Sequence, residues 1–274
     1  MNTLLVATRF SGQAMSSMII IALLCTAVPF IFLGYYRAKT GAKISSFFMG
    51  MVFYFLTVFI AEGALNYVMF GVLPLQSVLN RNTHPVMYAI YGAVIAGVFE
   101  EVGKYIGLRF CMKNRPGKQN AFLFGVGHGG FETIAYGSSL FMGNIVIALI
   151  VNNFGVDGYF EKLGIQGESV AEQKQLIYDL MAIPPIENVA AGTERLLALV
   201  LQASLAVLIY LSIQNEKKKI LFPAAILLHI IGYLPTYLTQ VGVIKSLALN
   251  LCLTGGIIVI TASYAYREFH QLKE

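Results

Sequence analysis

Two adjacent glutamates and a lysine lie in an apolar stretch of the chain. Glu100, Glu101 and Lys104 directly follow the segment VMYAIYGAVIAGVF. Ionisable groups in such segments are rare and usually face a cavity or a partner, so they are candidates for function. Lys104 can keep one carboxylate ionised while the apolar surroundings favour the neutral form of the other. Two carboxylates in different ionisation states are what acid–base catalysis requires.

Two histidines in later apolar segments extend this candidate set. His128 lies in the segment FGVGHGGFETI, and His229 lies in LLHIIGYLP. Residues four apart share a face of a helix. This spacing predicts three pairs on common faces, namely Glu100 with Lys104, His128 with Glu132, and His229 with Tyr233.

The elements that position these side chains are predicted to be membrane-spanning helices. Of the 274 residues, 57% are hydrophobic and 12% are charged, and the mean hydropathy is +0.70. Soluble domains carry about a quarter charged residues, so the composition predicts an all-α, polytopic membrane helix bundle. We expect about seven to eight transmembrane helices, since a span needs about 20 apolar residues. The clearest segments are roughly 15–36, 44–70, 86–110, 120–150, 193–213, 220–240 and 245–266.

The distribution of basic residues predicts the orientation of these spans. Most of the 19 basic residues fall in four stretches, 37–43, 109–118, 217–219 and 267–273, which alternating spans place on one face. Lysine and arginine in short loops mark the cytoplasmic side. The amino end is therefore predicted to be outside and the carboxyl end cytoplasmic. The net charge of +5 is too scattered to indicate a nucleic-acid partner.

One domain is predicted for the whole chain. Residues 1–274 form a single transmembrane helical domain in this interpretation, a multi-pass protein of a bacterial-type plasma membrane. The segment 151–192 is rich in acidic residues and contains the sequence IPP. We predict that it is an extracytoplasmic loop with amphipathic helical pieces. A connecting role is the simpler hypothesis for it, and a substrate gate is the other.

The predicted topology brings the polar side chains to one depth. Glu100, His128, His229 and Gln202 each lie about nine to eleven residues from the cytoplasmic end of their span, or about 15 Å into the membrane. Four helices then deliver polar groups to one plane, which predicts a single site. A buried ion pair is the simpler alternative for the glutamates and lysine, and interhelical hydrogen bonding is the alternative for each histidine.

Other motifs have structural interpretations. Arg195 is predicted to pair with Glu62 or Glu194 near the outer ends of their spans. The glycines of GVGHGG match a dinucleotide-binding pattern, but that pattern needs a preceding strand. Inside an apolar span they are instead expected to let another helix approach the backbone around His128.

The segments FEEVGKYIGLRF and AFLFGVGHGGFETI resemble the YhfC-type intramembrane proteases. That family is similar to the CAAX prenyl proteases, the bacterial self-immunity proteins and the PrsW-type proteases. The shared pattern is a double glutamate with a nearby basic residue, then F-x-x-x-H, then a later membrane histidine, and GTERLLALVLQ resembles the family's Glu-Arg segment. The matching positions here are Glu100, Glu101, Lys104, Phe124, His128, Glu194, Arg195 and His229. The chain departs from related sequences at Gln202, where a supporting histidine is expected, and at Tyr233, where Asn or Asp is common.

The resemblance implies an intramembrane endopeptidase that acts on membrane-associated peptides or proteins. Glu100 would be the general base that activates water, with Glu101 and Lys104 holding it in place. His128 and His229 would stabilise the oxyanion in a glutamic-type mechanism that needs no cofactor. In a metalloprotease mechanism they would bind zinc together with a glutamate, and Glu132 is a candidate ligand or support.

Two other classes of function fit the same residues. Buried carboxylates and histidines also form proton relays in proton-coupled transporters. The absence of an internal sequence repeat is evidence against that class. A non-catalytic immunity or scaffold protein of the same fold is the other alternative.

Overall fold

The described residues of the computed structural model form helices connected by short turns. The structure describes residues 9–73, 75, 78–167 and 170–271. Within these residues there is no strand, and seven helical segments are long and apolar enough to cross a membrane. The prediction of an all-α, multi-pass membrane protein is therefore confirmed.

Nine α-helices lie in the described part of the chain besides the short helix Gly63–Tyr67, and all but Val170–Ala182 belong to these segments. Their bounds are α1 (Gly12–Thr40), α2 (Ile44–Tyr54), α3 (Pro85–Ile106), α4 (Lys118–Glu132), α5 (Ser139–Leu163), α6 (Val170–Ala182), α7 (Pro185–Gln214), α8 (Leu221–Gln240) and α9 (Leu247–Gln271). The π-helical segments Phe55–Glu62, Gly107–Cys111 and Thr133–Ser138 directly follow α2, α3 and α4. π-helical turns often occur at functional sites, and two of these segments begin shortly after the candidate residues Lys104 and Glu132.

The ends of the fourth and fifth spans differ from the prediction. The fourth span runs over Lys118–Leu163 instead of ending near residue 150, and it is broken at Gly155, whose φ of 75° favours glycine. The fifth begins at Pro185, not near residue 193. The described part of segment 151–192 is therefore mostly helical. The hydropathy of the sequence did not show this, because polar residues at helix ends lower hydropathy without preventing helix formation. Its location outside the membrane stays a prediction.

One compact unit comprises Ile134–Thr193 and the described residues up to Thr26. Its core contains buried apolar side chains of α1 and α5. Among them are Met18, Ile21, Cys25, Phe141 and Ala148. Within this unit, Asn188 Nδ2 donates a hydrogen bond to Ser17 Oγ at 2.9 Å.

A second compact unit comprises Ala27–Thr133 and the described residues from Glu194 onward. It contains every candidate site residue. Glycines allow its helices to approach closely: a Cβ on Gly127 would overlap the Phe47 carbonyl oxygen, and one on Gly129 would lie 2.7 Å from Gln202 Cβ. This close packing agrees with the predicted role of the glycines around His128, and it brings α2, α4 and α7 together around the polar side chains.

Candidate active site

The double glutamate of α3 is buried, and its two carboxylates have different partners. Glu101 and Lys104 are both 0% exposed, and Lys104 Nζ donates to Glu101 Oε1 at 2.5 Å and also to Gln202 Oε1. Glu100, 4% exposed, accepts a hydrogen bond from Gln202 Nε2 at 2.7 Å. Glu100 and Lys104 were predicted to share a face of their helix, and within the double glutamate it is Glu101 that accepts the hydrogen bond of the lysine. Helical spacing put both glutamates within reach of the lysine, and the partners on α4 and α7 decide between them.

Each carboxylate of the double glutamate also faces an imidazole. His128 Nε2 lies 3.1 Å from Glu100 Oε2, and His229 Nδ1 lies 2.6 Å from Glu101 Oε1. His229 Nε2 is in turn 3.9 Å from Glu100 Oε1. Both histidines are fully buried. The structure thus brings Glu101 together with Glu100, His128 and His229, three of the four residues that were predicted to share one depth, and the fourth, Gln202, contacts Glu100.

The hydrogen-bond partners of Glu132 lie on α7 and α8. Tyr233 Oη lies 2.7 and 2.8 Å from its two carboxylate oxygens, and Gln202 Nε2 donates to Oε2 at 2.7 Å. Arg195 is 3.4 Å from Oε1. His128 and Glu132 were predicted to share a face of α4, and the hydrogen bond of His128 goes across to Glu100 of α3.

Gln202 connects the two parts of this network. Its amide nitrogen faces carboxylate oxygens of Glu100 and Glu132, each at 2.7 Å, and its carbonyl accepts from Lys104. The sequence prediction treated this residue as a departure from a family pattern. In the structure the amide carbonyl faces the cation and the amide nitrogen faces the two carboxylates. An amide suits the position because it carries both an acceptor and a donor.

Glu194 and Arg195 continue the network away from the histidines. Arg195 forms an ion pair with Glu194, and Thr236 Oγ1 donates to Glu194 Oε1 at 3.0 Å. The predicted pairing of Arg195 with one of two glutamates is thus resolved in favour of Glu194. The alternative partner, Glu62, has a buried Oε2 atom with no hydrogen-bond partner among the described residues.

Aromatic rings hold the two imidazoles in place. Tyr54, 1% exposed, meets His128 edge-on with ring centroids 5.0 Å apart, and Tyr233 stacks on His229 at 4.6 Å. Such pairs restrict ring orientation. The sequence analysis missed Tyr54. Gly50, four residues earlier on the same face of α2, allows the close approach to α4, since a Cβ there would lie 2.8 Å from the backbone nitrogen of His128.

Three buried polar atoms near the double glutamate have no hydrogen-bond partner among the described residues. They are Glu101 Oε2, His128 Nδ1 and His229 Nε2. Buried polar atoms are nearly always hydrogen-bonded, so such exceptions are candidates for catalysis or ligand binding. They belong to Glu101, His128 and His229, which the hydrogen bonds of the double glutamate bring together, and this cluster is therefore the candidate active site.

The chemistry of these residues is compatible with a metal ion. In a neutral His229, donation from Nδ1 to Glu101 leaves the lone pair on Nε2, which is how carboxylates orient metal-binding histidines. Two imidazoles and one carboxylate are donors suited to zinc. The described residues nevertheless contain no group of three His, Cys, Asp or Glu side chains already arranged to hold a metal. The residues fit a metal in kind, and binding would require small side-chain movements.

The charges of the cluster give a second reason to consider a cation. Glu100, Glu101 and Glu132 are three buried carboxylates, and the cations that contact the cluster are Lys104 and Arg195. An unpaired buried charge is very costly. Arg195 is also paired with Glu194. If these carboxylates are all ionised, balance therefore requires further positive charge, from an imidazolium or a bound cation.

Comparison with known proteins finds matches over most of the chain. The model of a family described as the YhfC intramembrane metalloproteases matches residues 24–253. A protein of Bacillus subtilis (strain 168), described as uncharacterized membrane protein YhfC, is 32% identical over 222 residues. The alignment covers 81% of this chain and 83% of that relative. No solved structure matches the chain.

Proposed function

This chain belongs to the YhfC intramembrane metalloprotease family, and from that premise we propose that it is a membrane-embedded endopeptidase. Its substrates in this proposal are membrane-associated peptides or proteins. The observation that carries the proposal is the pairing of two buried carboxylates with two buried imidazoles, three of whose nitrogen and oxygen atoms have no hydrogen-bond partner in the described part of the chain. A purely structural cluster would be expected to satisfy these atoms.

Glu100 is the residue we propose as the general base. Its Oε2 atom is held by Gln202, and its Oε1 atom faces His229 Nε2 across 3.9 Å. This separation is too long for a direct hydrogen bond, and a water molecule that contacts both atoms is the alternative. A water bound between these two atoms would be positioned to lose a proton to Glu100 as it attacks a peptide carbonyl.

Glu101 and Lys104 are positioning residues in this proposal. Lys104 holds Glu101, which in turn fixes the ring of His229 through Nδ1. The ring is thereby oriented with Nε2 toward Glu100. Such a chain of bonds fixes the geometry before substrate arrives, which lowers the cost of reaching the transition state.

A metal-dependent mechanism is the form that we favour, because the lone pair on His229 Nε2 suits a metal better than an oxyanion. His128, His229 and the Oε2 atom of Glu101, which has no hydrogen-bond partner among the described residues, would hold the ion, and Glu100 would remain available as the base. Zinc in such a site would make a bound water acidic enough to form hydroxide near neutral pH. Glu132, the ligand suggested by sequence, is assigned a supporting role, because Tyr233 and Gln202 already occupy its oxygens.

We also propose that the site lies in the cytoplasmic half of the membrane, with the amino end of the chain outside. Support comes from the basic stretches 37–43, 109–118 and 217–219, which flank the spans on one predicted face. A peptide substrate would then enter from the cytoplasmic leaflet.

A cleavage assay on purified protein tests the proposed activity. Dye-quenched casein and a panel of membrane-spanning peptides are incubated in water enriched in ¹⁸O, so that each hydrolysed bond acquires one labelled carboxyl oxygen. Removing the general base in Glu100→Gln is expected to slow cleavage by about 10²–10⁴-fold. His229→Ala should have a comparable effect.

Two matched variants serve as controls in that assay. Glu268→Gln changes another buried glutamate, which pairs with Lys218, and His270→Ala changes an exposed histidine. Both are expected to cleave like the wild type. Wild-type cleavage rates in Glu100→Gln and His229→Ala, or no cleavage by the wild type, would remove the protease assignment.

Metal analysis separates the two mechanisms. Elemental analysis of purified protein is expected to find about one zinc per chain. His229→Ala and His128→Ala should lower the metal content, while His270→Ala should not. Full activity after complete removal of metal by a chelator would instead support the glutamic mechanism.

A further inference from the structure

A cavity lies at the end of the third span, away from the buried glutamates. It has a volume of about 230 Å³. Its floor contains the buried apolar side chains of Leu108, Met112 and Ala121. Three cations line it, Arg109, Lys113 and Arg115. An apolar floor with a cationic lining is complementary to a ligand that has a negative group next to an apolar one.

The three cations make contacts that leave their charge uncompensated. Arg109 lies 5.9 Å from the ring centroid of Tyr105, and Lys113 lies 5.7 Å from that of Phe110. Arg115 Nε donates to Ser45 Oγ at 2.7 Å. Among the ion pairs formed by the described residues, none joins a carboxylate to any of these three cations. Their positive charge is therefore available to an anion.

The loop that carries these cations is tied to a neighbouring helix. Gly117 donates its backbone N–H to Tyr210 Oη of α7 at 3.0 Å, and Lys43 Nζ donates to the carbonyl of Asn114 at 3.2 Å. The cavity is thus bounded by fixed elements, and its cations do not depend on a ligand to be brought together.

We propose that this cavity binds the phosphate group of an anionic phospholipid. Arg109 and Lys113 lie where a membrane span ends at Cys111, which is the level of lipid headgroups. Val102, Ile106 and Phe110, four residues apart on α3 and its π-helical extension, are exposed and continue from the cavity along the span. Acyl chains would lie along this strip while the phosphate contacts the cations.

The size of the cavity and the sign of its charge favour a lipid headgroup as its occupant. Pockets for drug-sized ligands measure about 300–1,000 Å³, so the cavity suits a headgroup with its glycerol better than a larger molecule. Basic pockets between transmembrane helices at the cytoplasmic side are typical sites for acidic headgroups. The apolar floor distinguishes it from a site for free phosphate, which has no apolar part.

Native mass spectrometry of the purified full-length protein tests this assignment. Short-chain phosphatidylglycerol, phosphatidylcholine of the same chain length and sodium phosphate are titrated separately, and the bound fraction is measured. Phosphatidylglycerol is expected to bind more tightly than phosphatidylcholine. Each interfacial cation contributes about fivefold to the affinity for acidic lipid, so Arg109→Gln/Lys113→Gln should weaken binding by about 25-fold.

The control variant removes two cations from another loop of the same predicted face. Lys217→Gln/Lys219→Gln changes exposed side chains outside the cavity and is expected to bind phosphatidylglycerol like the wild type. Gln214→Glu, at an exposed position of the cavity lining, places a negative charge there and should also weaken binding. It decides the question if the double variant does not fold.

Three results would overturn the proposal. Equal affinity for phosphatidylcholine would show that the charge is not recognised. Equal losses in the two double variants would assign the effect to overall charge. Competition by sodium phosphate at the same concentrations as phosphatidylglycerol would make free phosphate the ligand.

Discussion

Two parts of the same buried network differ in how completely their polar atoms are paired. The bracing part, formed by Glu132, Tyr233, Glu194 and Arg195, gives both oxygens of Glu132 short hydrogen bonds. The reactive part, formed by Glu100, Glu101, His128 and His229, contains three atoms with no partner among the described residues. Both parts contain two glutamates, and they are joined through Gln202.

This difference indicates a division of labour between stability and chemistry. A fully satisfied buried network holds its members in one arrangement, whereas an unsatisfied buried group carries a free-energy cost of about 1–3 kcal/mol. That cost is accepted where the group interacts with a ligand or a substrate. Substitutions in the bracing part should therefore act mainly on stability, and those in the reactive part mainly on activity.

The largest expected effect on stability is that of Glu132→Ala. It removes the acceptor for Tyr233 and Gln202 and leaves Arg195 with fewer partners, as when one member of a buried ion pair is deleted. A loss of about 3–5 kcal/mol in the free energy of unfolding is expected. Thermal unfolding followed by circular dichroism measures it, because the chain has no tryptophan for fluorescence.

Glu100→Gln is the matched variant for that measurement. The glutamine retains the shape of the side chain and an oxygen that accepts from Gln202, so the loss of stability should be much smaller. Equal destabilisation by Glu132→Ala and Glu100→Gln would contradict the division between the two parts.

A smaller effect is expected for Tyr233→Phe, in which Glu132 loses one donor but keeps Gln202 and Arg195. A hydrogen bond to a charged group contributes about 1.5–3 kcal/mol, and this is the expected loss of stability. The ring remains stacked on His229, so cleavage should fall less than in His229→Ala. Tyr264→Phe, at a more exposed position, is the control and should unfold like the wild type.

The smallest effect concerns the ring that orients His128. Tyr54→Leu removes the edge-on contact, which is worth about 0.5–1.5 kcal/mol, whereas Tyr54→Phe retains the ring. We expect Tyr54→Leu to lower kcat more than Tyr54→Phe does, with little change in KM. Identical kinetics in the two variants would show that the ring does not position His128.

The sequence was sufficient to predict which residues meet, but not how they pair. Apolar length predicted seven spans, and counting residues from the span ends placed Glu100, His128 and His229 at one depth. Spacing along a helix identifies a common face without identifying the neighbour across it. The hydrogen-bond partners of Lys104 and His128 could therefore not be predicted from spacing, since they depend on how α3 packs against α4, α7 and α8.

Other features left no signal that hydropathy or charge could reveal. Tyr54 lies in an apolar span with no charge nearby in sequence, and its role becomes visible only when Gly50 brings α2 against α4. The early start of α7 at Pro185 was missed because its first turns are polar. The catalytic roles and the orientation in the membrane stay predictions.

The amide of Gln202 can take only one orientation without placing an acceptor against an acceptor and a donor against a donor. A rotation by half a turn would set its carbonyl against two carboxylates and its nitrogen against an ammonium group. Evolution at this position is consequently constrained by its neighbours. Relatives with another residue at the position of Gln202 should carry compensating replacements at the positions of Lys104 or Glu132, so that these three sites change together across the family.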